Sequence, residues 1–311
     1  MMRLEETPAP VPGPGQLRIR VRAAALNFFD ILQIQGKYQY RPAFPFTPGA
    51  EVAGEIDACG EEAEGFAPGD RVMAFVKEGG YAEYALAAVD RTFVLPAGMD
   101  FPEAAAMPVV YHTSYFALRE RAALRPGEWL LVHAGASGVG MSAIQIGRAF
   151  GARVVATAGS PAKREFCEQQ GAERALDYNG AGWVEAVKEI TGGKGAGVIY
   201  DPVGGDVFDL SSKCIAMEGR LLVIGFASGR IPSIQANRVL LKNISVVGAV
   251  WGGYVQAKPG YIGETQRALE ALYGEGKLHP RVTSRHSLEE APRALAELAA
   301  RKVLGKSVLI S

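Results

Sequence analysis

The chain has 311 residues, nearly half of them apolar, and its 33 basic and 33 acidic side chains cancel. Zero net charge gives no electrostatic reason to expect nucleic acid or a membrane surface as partner, and the length admits two domains with ample core. Cys59, Cys167 and Cys214 are odd in number and far apart, which fits a reducing cytoplasm rather than a disulfide framework. No apolar run reaches membrane-spanning length, and Met1 to Glu6 carries no apolar signal core. In chain order, residues 12–107 hold short β-like runs: Gln16 to Ala23, Glu51 to Ile56, Asp70 to Phe75, Tyr81 to Ala87 and Thr92 to Leu95. Turn signals such as Pro12-Gly13-Pro14-Gly15 separate them, the pattern of a small β-barrel or sandwich.

From about residue 108 to 250 strands alternate with helices, which predicts a doubly wound parallel sheet. The strands are Trp129 to Val132, Arg153 to Thr157, Gly197 to Tyr200, Arg220 to Ile224 and Ile244 to Val250. Helices are expected at Met141 to Phe150 and near 161–171, 182–191 and 206–217. Two amphipathic helices, near 264–275 and 288–301, and a last strand, Ser307 to Ile310, close the chain. The predicted division is therefore 1–107, 108–250, and a segment 251–311 that returns to the first domain. A barrel beside a nucleotide domain predicts a small-molecule cleft.

The most informative run is Val132-His133-Ala134-Gly135-Ala136-Ser137-Gly138-Val139-Gly140. Strand, glycine turn, helix and strand make the βαβ unit that binds dinucleotides. Glycines let the backbone turn sharply near a pyrophosphate, and the helix N-terminus offers free N–H groups and partial positive charge. Ser137 stands where the pattern has its middle glycine, and its hydroxyl is a candidate phosphate ligand. At the end of the next strand an NAD site places Asp or Glu. Here Ser160, Lys163 and Arg164 stand there instead. A 2′-phosphate is repelled by a carboxylate and held by cations, so the expected cofactor is NADPH.

The order of motifs resembles the medium-chain dehydrogenase/reductase superfamily, in its zinc-independent quinone oxidoreductase (zeta-crystallin-like) branch. The matching residues are Ala25-Leu26-Asn27-Phe28-Phe29-Asp30, Gly36-Lys37-Tyr38, Pro45 to Gly54, Pro68 to Val72 and Gly79 to Tyr84. They continue through the glycine loop, Ala175 to Tyr178, and Asp201-Pro202-Val203-Gly204-Gly205. The resemblance implies a GroES-like β-barrel catalytic domain, a Rossmann domain and a homodimer formed through the sheet edge near Ile244 to Val250. It also implies site residues. Asn27 orients cofactor or substrate. Asp30 either holds that loop or is simply a helix N-terminal charge. Tyr38 either lines the cleft as a hydrogen-bond or proton donor or packs at the domain edge, with Tyr40 close by. Thr113, Gly225 and Phe226 lie at the nicotinamide end, Gly138, Val139 and Gly140 at the pyrophosphate, and Ser160, Lys163 and Tyr178 at the 2′-phosphate. Val250 and Trp251 either close the nicotinamide side or pack as an apolar strand end.

Zinc alcohol dehydrogenases of the superfamily bind metal through a Cys and a His where this chain has Asn27 and Ala50. Glu51 alone is not a zinc site, and His112, His133, His279 and His286 are scattered, so no metal is expected. Without a Lewis acid, an acceptor whose developing charge delocalises is the easier substrate. A quinone fits, as does an α,β-unsaturated carbonyl. The reading of another class is a non-catalytic, crystallin-like NADPH-binding protein.

Overall fold

The computed structural model describes residues 2–311. In chain order it begins β1 (Gln16–Ala25), α1 (Phe28–Ile34), β2 (Glu51–Cys59), β3 (Arg71–Phe75), β4 (Tyr84–Ala88), β5 (Thr92–Val94) and α2 (Phe101–Ala105). After α3 (Pro108–Phe116) come β6 (Trp129–Val132), α4 (Gly138–Ala149), β7 (Arg153–Ala158), α5 (Pro161–Gln169), β8 (Arg174–Asp177), α6 (Gly182–Ile190), β9 (Ala196–Asp201) and α7 (Gly205–Cys214). The chain continues with β10 (Ile215–Val223), α8 (Ala236–Leu241), β11 (Ser245–Gly248), α9 (Trp251–Ala257) and α10 (Tyr261–Gly274). It ends with β12 (Val282–Ser287), α11 (Ala291–Ala299) and β13 (Lys306–Ile310). These fall into two compact units, Met1–Val109 with Pro280–Ser311, and Val110–His279.

The first unit is built on a seven-stranded sheet ordered β12-β13-β1-β2-β3-β5, with β4 also paired to β1. β1 alternates as half-buried strands do: Leu17, Ile19 and Val21 face the core with Val52, Ile56, Val72 and Leu309. The closing strand β13 is held antiparallel to β1, with Ala25 opposite Val308. That pairing brings the first residue of β13, Lys306, to the end of β1.

The second unit is a six-stranded parallel sheet ordered β11-β10-β9-β6-β7-β8. Its central strand is apolar throughout, with Leu130, Leu131 and Val132 fully buried, as both-faces-covered parallel strands require. The chain runs outward from β6 to β8, then returns to β9 on the other side of β6. The reversal between β6 and β9 is the topological switch point, outside whose carboxyl ends ligands bind in such sheets.

Three readings of the sequence are corrected. Only Pro280–Ser311 joins the first unit. Residues 251–279 stay with the second, where Gln266 of α10 bonds His112 of α3 at 2.9 Å. The expected strand start at Tyr81 is a turn, and β4 begins at Tyr84, because Gly79 takes a positive φ and Gly80 packs on Gly49. β12 had no expected counterpart. Its sequence, VTSRHS, is mostly polar and only partly covered, so no apolar alternation marks it.

Candidate functional site

In the first unit two of the expected catalytic residues, Asn27 and Asp30, lie in a buried polar cluster. Asn27 caps α1 from extended backbone, a position that favours Asn. Three residues on, Asp30 accepts a hydrogen bond from the Asn27 backbone N–H at 2.8 Å and another from the Tyr81 hydroxyl at 2.6 Å. Asp30 thus ties the start of α1 to Tyr81. The Asn27 amide nitrogen donates to Glu51 Oε1 at 2.8 Å.

The centre of the cluster is a residue the sequence reading missed. Lys306 Nζ donates to Leu26 O at 3.0 Å, Asn27 Oδ1 at 2.8 Å and Glu51 Oε1 at 2.7 Å. Its three N–H bonds thereby have three acceptors. The second carboxylate oxygen of Glu51 accepts from the Val109 N–H at 2.7 Å. Lys306 is 2 % exposed and Glu51 fully buried. The only signal in the sequence was one cation opening an otherwise uncharged strand, Lys306-Ser307-Val308-Leu309-Ile310. Asn27 is therefore locked in one amide orientation, with its nitrogen on Glu51 and its oxygen on Lys306.

Burial pushes the Asp30 carboxyl up to about 7 from an ordinary 3.8, against the opposing hydrogen bonds from Tyr81 and Asn27 and the charge of Lys306. Its Oδ1 has no partner among the described residues. A carboxyl whose folded value is raised keeps a proton that the unfolded chain releases. Its contribution to stability is full below about 3.8 and is lost as pH rises through about 7. Asp30→Asn keeps the acceptor for Tyr81 and removes the titration. Its stability is expected to gain on the wild type by about 1.4 kcal/mol per pH unit between those limits, read by denaturant unfolding across pH. Tyr38 is half-buried and stacked on Phe29, ring centroids 5.3 Å apart. Burial, then the nearby Asp30 charge, raises its hydroxyl. Tyr40 turns away to Glu78.

In the second unit the glycine loop follows β6 and opens α4. An added Cβ at Gly140 would lie 2.3 Å from Ala134 O, and one at Gly135 2.8 Å from both Ala156 Cβ and Cys167 Sγ. These two glycines are needed for close strand–helix packing. Ser137 caps α4: its hydroxyl donates to Ala134 O at 2.7 Å and accepts from Gly140 N at 3.1 Å. The N–H groups of Gly138 and Val139 open the helix, where no intrahelical acceptor exists, and can meet an anion. Behind the turn, Ser114 Oγ bonds Val139 O, Ser142 Oγ and Tyr200 Oη, a network the sequence gave no sign of. Thr113 is half-buried beside it on α3.

At the end of β7, Ser160 caps α5 and accepts from the Lys163 N–H. Tyr178 sits against Gly159, whose added Cβ would lie 2.7 Å from the Tyr178 hydroxyl. Ser160, Lys163 and Tyr178 are thus brought together. Arg164 is paired with Asp177 at 3.0 Å. Gly225 and Phe226 follow β10 at the carboxyl edge, with Phe226 40 % exposed. For Val250 and Trp251 the structure speaks against the strand-end alternative. β11 stops at Gly248, Val250 is 70 % exposed at the N-cap of α9, and the Trp251 ring meets His112 at 5.6 Å. The chain leaves the sheet two residues early, so neither is a packed strand end.

His133 is buried between Thr157 Oγ1 and Ser211 Oγ, at 2.9 and 2.8 Å, and burial lowers it to about 3. It is a core residue. Among the described residues no cluster of three or more His, Cys, Asp or Glu is placed to hold a metal. No helix among them is long and apolar enough to cross a membrane.

Comparison with known proteins identifies the family. Residues 13–97 match the alcohol dehydrogenase GroES-like domain, and residues 138–270 the zinc-binding dehydrogenase family. Quinone oxidoreductase-like protein 2 of Bos taurus is 38 % identical over 91 % of this chain and 82 % of its own length. The Escherichia coli quinone oxidoreductase complexed with NADPH superposes with a TM-score of 0.91 at 31 % identity, covering 99 % of this chain and 95 % of that one. The CurK enoyl reductase gives 0.89 at 28 % identity over 98 % and 94 %. With an oxidoreductase's GroES-like unit and Rossmann-type sheet both present, the chain belongs to the quinone oxidoreductase branch of the medium-chain dehydrogenase/reductase superfamily.

Proposed function

We propose that this oxidoreductase uses NADPH to reduce a quinone, without zinc. The observation that carries the reading is the end of β7, where Ser160, Lys163 and Tyr178 gather and no carboxylate takes the position that binds a ribose 2′-hydroxyl in NAD sites. NADPH bound here supplies a hydride from its nicotinamide C4. Gly138, Val139 and Gly140 receive its pyrophosphate, Lys163 and Ser160 its 2′-phosphate, and Thr113, Gly225 and Phe226 flank its nicotinamide end. Asn27, held by Lys306 and Glu51, orients the reacting partners. Tyr38 presents a phenol to the acceptor.

The donor set does not fit zinc. An ammonium lies 2.7 Å from the Glu51 carboxylate, so a divalent cation there meets a buried positive charge. Asn27 offers no thiolate, and Ala50 no side-chain donor. A quinone reduces this need, because its charge delocalises over the ring and hydrogen bonds suffice. The fold of the CurK enoyl reductase supports a second reading, reduction of a conjugated carbonyl.

NADPH oxidation followed by absorbance, with a quinone and an enone offered in parallel and NADH as control, tests the proposal. Turnover of the quinone with NADPH is expected, and faster enone turnover selects the second reading. Binding without turnover of either selects the non-catalytic one. Lys163→Ala is expected to cut the NADPH-over-NADH preference by about 10- to 100-fold, the worth of a charge-assisted hydrogen bond. The open edge of the sheet at β11, with Val246 exposed there and Leu240 and Leu241 on α8, supports pairing with a second copy. Sedimentation is expected to give a dimer. The three free cysteines support a reducing, cytoplasmic location.

A further inference from the structure

The motif Asp201-Pro202-Val203-Gly204-Gly205 has no role in the proposal above, yet it occupies the carboxyl end of β9, beside β6, at the topological switch point. Asp201 is 1 % exposed. Its Oδ1 accepts from the N–H of Val203 at 2.7 Å and of Gly204 at 3.0 Å. Its Oδ2 has no partner among the described residues.

The turn that Asp201 folds holds the next loop of the sheet edge. Ile224 N–H donates to Asp201 O at 3.0 Å, Ala227 N–H to Pro202 O at 3.0 Å and Ser228 N–H to Val203 O at 2.9 Å. In return Gly205 N–H donates to Arg230 O at 3.1 Å. Gly204 takes a positive φ, and an added Cβ there would lie 3.0 Å from Phe226 Cδ1. Gly225 and Phe226 lie inside this clamp, bracketed on both sides by backbone bonds to the Asp201 turn.

We propose that Asp201 is a positioning residue for the nicotinamide-binding loop: through its turn it sets where Gly225 and Phe226 stand. This rests on the NADPH reading. The carboxylate acts as a backbone acceptor through one oxygen, Oδ1, and a neutral amide oxygen accepts the same two bonds. The motif lies apart from β7 and β8, so the 2′-phosphate end of the cofactor does not depend on it.

The test compares wild type, Asp201→Ala and Asp201→Asn for binding of NADPH and of adenosine 2′,5′-bisphosphate, which lacks the nicotinamide half. Asp201→Ala is expected to weaken NADPH about tenfold, the effect of losing one to two net hydrogen bonds, and to leave the bisphosphate unchanged. Asp201→Asn is expected to stay within about twofold of wild type for both ligands, since it keeps the acceptor. Equal losses for both ligands in Asp201→Ala, no loss for either, or an Asp201→Asn as weak as Asp201→Ala overturns the proposal. A wild type that binds neither ligand overturns the cofactor reading itself, and this inference with it.

Discussion

Lys306→Met is expected to destabilise the protein by about 3–5 kcal/mol, the cost of leaving one member of a buried ion pair alone. Methionine is unbranched like lysine, one heavy atom shorter, and carries no charge. It leaves the fully buried Glu51 without the ammonium 2.7 Å away and removes the donor to Asn27 Oδ1 and Leu26 O. Glu51→Gln alone strands the cation and is expected to cost a similar amount. The double variant removes both charges, so its loss is expected to be well below the sum of the single losses. Such non-additivity is the signature of a contact pair. Equilibrium urea unfolding of all four proteins closes the cycle. A Lys306→Met protein within about 1 kcal/mol of wild type, the range of an exposed pair, contradicts this account of the cluster.

Gly140→Ala is expected to lose at least about tenfold in NADPH affinity, or about 1.4 kcal/mol, and to unfold more easily. In an open helix the substitution is favourable by about 1 kcal/mol. Here the new methyl would lie 2.3 Å from Ala134 O, 2.8 Å from Gly135 Cα and 2.9 Å from Ala134 C. All three are backbone atoms, so no rotamer change relieves the clash. The loop itself must open, and with it the Gly138 and Val139 N–H groups offered to the pyrophosphate. Overpacking of this kind costs about 1–3 kcal/mol. Gly182→Ala is the control, because an added Cβ there meets nothing within 4 Å. Fluorescence titration with NADPH and thermal unfolding read both effects. Wild-type affinity in Gly140→Ala contradicts the assignment of the turn.

The parallel-sheet unit was legible because its signals are local. An apolar run such as Trp129 to Val132, followed by glycines and then a helix, announces strand, turn and helix in a dozen residues. The buried cluster of the first unit was only half legible. Asn27, Asp30 and Glu51 lie in recognisable motifs, but Lys306 is 255 residues from Glu51 in sequence. A single cation in a strand carries no mark of its partner. The cap that Ser137 makes was not legible, because a hydroxyl beside such a turn has two uses, ligand or cap, and the Ala134 carbonyl it bonds is set by the fold. The pairing of Arg164 was not legible either, since its partner Asp177 comes from the next strand. Val250 and Trp251 fit a strand by composition, and no turn residue announces that the chain leaves the sheet after Gly248.

We propose hydride transfer from NADPH without zinc. The most direct test is the rate of quinone reduction by chelator-treated protein, using NADPH deuterated separately on each face of nicotinamide C4. The account predicts steady NADPH consumption without added metal, with the rate slowed by deuterium on one face only. Activity that appears only on adding zinc, or an equal response to label on both faces, contradicts it.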